Sequence, residues 1–198
     1  MNERFFHVVW RVVGPILRFF YPLEVSGLEN LPASGAMLCP NHSSLWDPVL
    51  LAITTPIDYH LRIMAKEELF RIPLLGPIIS RLGAFPVSRG NSDIQSVKTA
   101  IRAIRDGENL LIFPEGTRVD HPGQVRAKSG VAVIAVRTGA VMVPVYVDGK
   151  KHLFHRTRLI IGHPVTPVYT GRHGTAEEMQ DIADEVLRRA YALGGETL

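Results

Sequence analysis

Residues Ala36–Thr54 read Ala-Met-Leu-Cys-Pro-Asn-His-Ser-Ser-Leu-Trp-Asp-Pro-Val-Leu-Leu-Ala-Ile-Thr. The short apolar run Ala36–Cys39 reads as a strand, and Pro48 suits the first turn of a helix that continues to Thr54. Between them lies a polar turn. The same alternation recurs on both sides. Leu23–Val25, Arg62–Met64, Leu110–Phe113, Val141–Val147 and Leu159–Ile161 read as further strands. Helical stretches are Leu74–Leu82, interrupted by proline, Ser92–Arg105 ending at Gly107, and Gly130–Thr138 ending at Gly139. A last helix opens on Thr175 and Glu178 in capping-box spacing and turns Met179, Ile182, Val186 and Leu187 toward a core. Strands alternating with helices predict one α/β domain with a mixed, largely parallel sheet flanked by helices. No repeat or composition break marks a second domain.

Bulk properties agree. The chain has 198 residues, with 46% hydrophobic and 21% charged, which suits one globular domain and argues against disorder. Net charge is only +3, but it is uneven. Between Arg118 and Arg158, Lys and Arg face only Asp120 and Asp148, whereas the segment after Ala176 is acidic. A basic middle suits an anionic substrate or membrane surface, and equally a solvated face. Cys39 is the single cysteine, so a disulfide framework and a cysteine metal site are both excluded; its apolar neighbours predict a buried, inert thiol. The N-terminus lacks the layout of a signal peptide, which predicts a reducing location on the cytoplasmic face of the cell membrane.

The N-terminal segment supplies the membrane expectation. Phe5–Tyr21 is strongly apolar, yet Arg11 and Arg18 interrupt it, so it is too short and too charged to span a bilayer. Arg4, His7, Arg11 and Arg18 fall on one helical stripe, with Phe, Val and Ile filling most of the remaining circumference. Residues 1–21 are therefore predicted to form an amphipathic helix in the headgroup plane, kinked or divided at Gly14-Pro15, with residues 22–198 as the catalytic domain. A terminal helix packed on its own domain is the plainer alternative.

His42 and Asp47 are five apart. On a regular helix they would diverge by about 140°, so they meet only if the segment between them is a turn. A carboxylate on one imidazole nitrogen would fix the tautomer and leave the other as a base. The plainer account, favoured by these residues alone, has Asp47 as a helix N-cap and His42 as a polar strand-end residue. Three more segments bear on the choice. Gly83-Ala84-Phe85-Pro86-Val87-Ser88-Arg89 sets an arginine after an apolar turn. Phe113-Pro114-Glu115-Gly116-Thr117-Arg118 follows a strand, and Val143-Pro144-Val145 interrupts one with proline.

In order and spacing these four segments resemble the blocks of the glycerolipid acyltransferase family, whose bacterial members include the 1-acylglycerol-3-phosphate acyltransferases. The family's first block, His, four residues, then Asp, reads His42 to Asp47, and its third is reproduced in full from Phe113 to Arg118. The resemblance covers about Leu23 to Ile161. It implies an O-acyltransferase that moves a fatty acyl group from an acyl thioester to the free hydroxyl of 1-acylglycerol-3-phosphate, giving phosphatidic acid for phospholipid synthesis. It further implies His42 as the base, Asp47 orienting it, and Arg89 and Arg118 as phosphate contacts. Arginine suits a phosphate because its fork is bidentate. Glu115 would order the third-block turn or contact the acceptor, and Gly116 would turn the backbone tightly; Thr117 belongs to the same substrate-binding block. Lys66 and Lys128 are weaker substrate-binding candidates, for which surface lysine is the plainer account.

Acyl-CoA and acyl-carrier protein both remain open as donor. The implied partners are thus a lysophospholipid, a donor thioester and a membrane surface, with no nucleic acid; no metal or cofactor is indicated. Alternatives are glycerol-3-phosphate or another lysophospholipid as acceptor, a thioester hydrolase, and a non-catalytic lipid-binding protein on the same fold. Ser43 and Ser44 invite a serine-hydrolase reading, but no Gly-x-Ser-x-Gly elbow occurs.

Overall fold

A computed structural model describes residues 2–88, 94–149 and 151–198. Among them α1 (Glu3–Phe20) is followed by β1 (Leu23–Ser26), β2 (Met37–Pro40), α2 (Asp47–Thr54) and β3 (Leu61–Lys66). Next come α3 (Glu67–Phe70), α4 (Leu75–Arg81), β4 (Ala84–Val87), α5 (Ile94–Arg105) and β5 (Asn109–Leu111). The chain continues through α6 (Gly130–Thr138), β6 (Met142–Val147), β7 (Thr157–Ile161) and α7 (Ala176–Leu193). The strands form one sheet in the order β1-β7-β6-β2-β5-β3-β4. All neighbours are parallel except β6 and β7, so the sheet is mostly parallel with one reversal.

Side-chain alternation along the strands builds two cores, one on each face. Met37, Cys39, Leu110, Met142 and Tyr146 share a layer with buried residues of α5, α6 and α7. Ala36, Leu38, Leu111, Val143 and Val145 point the other way, toward Leu51 of α2, Tyr59 and Leu61. Each fully buried leucine contributes about 1.5–3 kcal/mol of transfer free energy before ordering costs. Cys39 has no exposed surface, and burial pushes its thiol up.

Two prolines sit where a sheet tolerates them. Pro86 is exposed on β4, the terminal strand. This strand was read as a turn from the sequence, because Gly83 and Pro86 mask a run that needs only one neighbour. Pro144 lies in the interior strand β6, opposite Cys39. Its carbonyl accepts from Gly162 N–H (2.9 Å), and the ladder to β7 starts one residue later, at Val145 and Ile161. The missing N–H thus falls where β7 ends.

α1 differs from its sequence reading in two ways. The helix runs unbroken through Gly14-Pro15, and Gly14 is buried against Ile53 of α2. Its basic stripe is also divided. His7 Nε2 lies 3.4 Å from Asp58, and Arg18 donates to the Ile53 carbonyl, so both hold the helix to its own domain, as does buried Phe6. Arg4 and Arg11 are exposed, and so are Val8, Val12, Ile16 and Phe19. Among the described residues no helix is long and apolar enough to cross a membrane. At the other end, α7 has the expected capping box between Thr175 and Glu178.

Candidate active site

The parallel strands β2, β5 and β6 lie side by side, and the loops leaving their C-terminal ends converge, the usual location of a site in such a sheet. β2 supplies the first loop. Its strand pairing is prolonged by the buried Asn41, whose side chain copies a backbone amide: Nδ2 donates to the Val147 carbonyl (3.0 Å) and Oδ1 accepts from Val147 N–H (2.8 Å). Asn41 therefore locks β2 to β6 immediately before His42.

The turn that follows closes on Asp47, the first residue of α2. Its Oδ2 accepts from Ser43 N–H and Ser44 N–H, both at 2.8 Å, and lies 2.9 Å from His42 Nδ1. Asp47 thus wraps the loop around its own carboxylate. Of the two roles the sequence offered as alternatives, orientation is the one performed: Asp47 lies inside α2, Trp46 holds the N-cap position without a side-chain cap bond, and the carboxylate binds amides that precede the helix. Burial alone would raise the Asp47 carboxyl, but the hydrogen bond from His42, the nearby Lys151 charge and the Ser44 amide outweigh it and hold the group below the usual carboxylate range. An ionised carboxylate only accepts, so the nitrogen facing it, Nδ1, carries a proton, and Nε2 is the nitrogen turned away from Asp47. The serine hydroxyls are engaged elsewhere: Ser43 Oγ donates to the Gly149 carbonyl, and Ser44 Oγ accepts from Trp46 N–H.

β5 supplies the second loop. Phe113 stacks on the imidazole with ring centres 3.9 Å apart. Glu115 turns inward, with 1% of its surface exposed; Oε2 accepts from His42 N–H (2.7 Å) and Oε1 from the Tyr191 hydroxyl of α7 (2.6 Å). Val119 N–H donates to the His42 carbonyl (2.9 Å), which completes the clamp on the His42 backbone. Burial raises the Glu115 carboxyl to about 7 against the lowering effect of both donors. The expected ordering role fits this geometry. The expected contact with the acceptor does not, because both oxygens face protein.

Gly116 closes the turn at a φ of +65°, where an added Cβ would come within 3.1 Å of the Lys128 side chain. Gly116 therefore makes room for Lys128 as well as for the turn. Half-buried Thr117 follows, then Arg118, which is exposed and without an ion-pair partner among the described residues. Lys128 is exposed too, immediately before the N-terminus of α6. Lys66 ends β3, but its charge is matched by Glu68 at 2.9 Å. Arg89 lies outside the described residues.

The third loop, after β6, holds what the sequence reading missed. Lys151 has only 2% of its side chain exposed, and its Nζ lies 2.5 Å from Asp47 Oδ1. It came from a stretch read only as basic. Its position just past the fourth block was visible; its partner was not.

Comparisons with known proteins show which family the chain and its fold resemble. Residues 22–148 match the family model described as Acyltransferase. The chain is 37% identical over 149 residues to a 1-acyl-sn-glycerol-3-phosphate acyltransferase of Bacillus subtilis, covering 72% of this chain and 73% of that one. It is 29% identical to a chloroplastic 1-acyl-sn-glycerol-3-phosphate acyltransferase of Arabidopsis thaliana, over 75% of this chain but only 42% of that longer protein. In structure it resembles the 1-acyl-sn-glycerophosphate acyltransferase PlsC of Thermotoga maritima, with a TM-score of 0.71 at 25% identity, covering 99% of this chain and 81% of that one.

Proposed function

The chain belongs to the acyltransferase family, and on that premise we propose that it transfers a fatty acyl group from an acyl thioester to the free hydroxyl of 1-acylglycerol-3-phosphate, with His42 as general base. The observation that carries this reading is the Asp47–His42 contact at 2.9 Å, which engages Nδ1 and leaves Nε2 for the substrate at the end of a parallel strand. The acceptor hydroxyl gives its proton to Nε2 as its oxygen attacks the thioester carbonyl. Asp47 stabilises the imidazolium that forms. Collapse of the tetrahedral adduct forms the ester and expels the thiolate, which takes the proton back. No serine or cysteine nucleophile is needed, because the acceptor supplies the attacking oxygen.

Arg118, exposed and unpaired among the described residues, is the described candidate for the acceptor phosphate, and Arg89 is its expected companion. Glu115 acts through His42 rather than on the substrate. The donor is acyl-CoA or an acyl-carrier protein. Work on a membrane-embedded acceptor calls for attachment to the bilayer surface on its cytoplasmic face. The exposed apolar row Val8, Val12, Ile16 and Phe19 supports that reading, together with Phe154, which extends the row from the β6–β7 loop. The Phe154 ring sits 5.8 Å from Phe19 and 5.6 Å from Phe20.

The test is turnover by purified protein of an acyl thioester with and without lysophosphatidic acid. Acceptor-dependent ester formation is expected, and thioester cleavage that ignores the acceptor would point to a hydrolase. His42→Ala should lower the rate about 100- to 10,000-fold. Arg118→Ala should lower efficiency with the phosphorylated acceptor about tenfold to a hundredfold and spare donor binding. Near-normal turnover in a folded His42→Ala protein sinks the mechanism.

A further inference from the structure

Asp47 and His42 do not form a closed pair. Lys151 reaches back from the loop after β6; its ammonium forms an ion pair with Asp47 Oδ1 (2.5 Å) and donates to the Asp148 carbonyl (2.6 Å) and Ser43 Oγ (3.1 Å). Its side chain and that of Asp47 are 2% and 0% exposed, so little water screens the contact. A lysine this buried does not reach the bulk substrate; what it touches is the other carboxylate oxygen of the residue that holds His42.

We propose that Lys151 is a positioning residue of the acyl-transfer site, whose ammonium balances Asp47 so that His42 remains an unprotonated base near neutrality. The inference rests on His42 being the base. A lone buried carboxylate against an imidazole strongly favours the imidazolium, and a base already holding a proton cannot take another. An ammonium on the far oxygen makes the Asp47–Lys151 pair neutral overall. Asp47 then still orients the Nδ1–H bond and pulls less hard on the ring's second proton. Opposite charges within about 4–6 Å shift a titration by about one to three units, so the ammonium is large enough to matter.

Among the described residues, the other groups in contact with His42 do not supply this charge. Glu115, from the loop after β5, accepts from the His42 amide and is backed by Tyr191 of α7. Phe113 offers a neutral face. The Asp148 carboxylate is turned to Arg158, 2.9 Å away.

Two substitutions separate charge from packing. Lys151→Gln keeps donors for Ser43 and the Asp148 carbonyl and removes the charge; Lys151→Arg keeps the charge. In the full chain, NMR titration with labelled histidine reads the His42 ring directly, its signal assigned by loss in His42→Ala. The acid limb of kcat/KM reads the same proton in turnover. In Lys151→Gln the His42 midpoint should rise by about one pH unit, carrying the acid limb with it, and in Lys151→Arg it should hold. A midpoint unchanged in folded Lys151→Gln overturns the proposal and leaves Lys151 a packing residue. Should that variant fail to fold, Lys151→Arg decides: a retained midpoint supports the charge role and a displaced one overturns it. Failure of the underlying reading looks different, because the ring titration would then move while the acid limb stays.

Discussion

A carboxyl buried as completely as Glu115 needs donors, and it finds them in the His42 amide and the Tyr191 hydroxyl. With its carboxyl raised to about 7 by burial, the folded protein binds a proton there that the unfolded chain releases near 4.5. Below about 4.5 both states are protonated. As pH rises from there through 7, the native state must accept a buried charge, so this group lowers stability by up to about 3 kcal/mol across that window. Asp47 acts with the opposite sign, because its depressed carboxyl lends stability that is lost only at more acid pH. Glu115→Gln should therefore flatten the fall in stability between pH 5 and pH 8, read from denaturant midpoints. An unchanged slope would show that the raised carboxyl is not what the pH dependence reports. The same residues mark the limits of sequence reading. His42 and Asp47 were legible as a pair only through the resemblance carried by the four blocks, because their local spacing permits a joining turn but on its own favoured separate roles. Lys151 and Tyr191 were not, since their partners lie far away in the chain and nothing nearby names them. Asn41 drew no reading of its own from the sequence, and only a neighbouring strand reveals an amide standing in for backbone.

At the scale of elements, most strands and helices followed from apolar runs and their punctuation. The failures came where proline was weighed alone. Pro86 on an exposed edge costs no ladder bond, so β4 forms. Gly14 and Pro15 were expected to kink or divide α1; the helix is not divided, and it packs against α2 through Gly14. Tertiary contact overrode local preference. α1 also carries the proposed membrane contact, and its two faces allow that idea to be tested cleanly. Val12 and Phe19 are 57% and 67% exposed, so Asp at either disturbs no core. Each large apolar side chain sunk into lipid contributes about 1.5–3 kcal/mol, whereas exposed Arg4 and Arg11 contribute about 1 kcal/mol each on an anionic surface, a part that salt removes. Val12→Asp with Phe19→Asp should release the protein from anionic vesicles in co-sedimentation and depress turnover of a membrane-embedded acceptor. Turnover of a short-chain soluble acceptor should persist. Equal loss on both acceptors, in protein with normal unfolding, would make α1 part of the active site instead.

Across the whole molecule, three neighbouring strand ends bring together residues distant in sequence, and the fold is what makes the site one object. The same wiring has a temporal side. Strand β1 sits at the sheet edge, and its single neighbour is β7, with Leu23 opposite Thr157. During synthesis, β1 must wait for a partner that leaves the ribosome only after most of the chain has been made. Such distant pairings close late. Helix α1, just upstream, emerges before β1 with its apolar row uncovered. If the proposed membrane contact of α1 is right, the nascent chain settles on a lipid surface before it owns a finished catalytic centre. Ribosome-arrested chains ending before Thr157 should stay open to protease around β1 and still float with vesicles. Chains long enough to free β7 should become resistant there, and protection arriving earlier would mean the edge strand finds an interim partner.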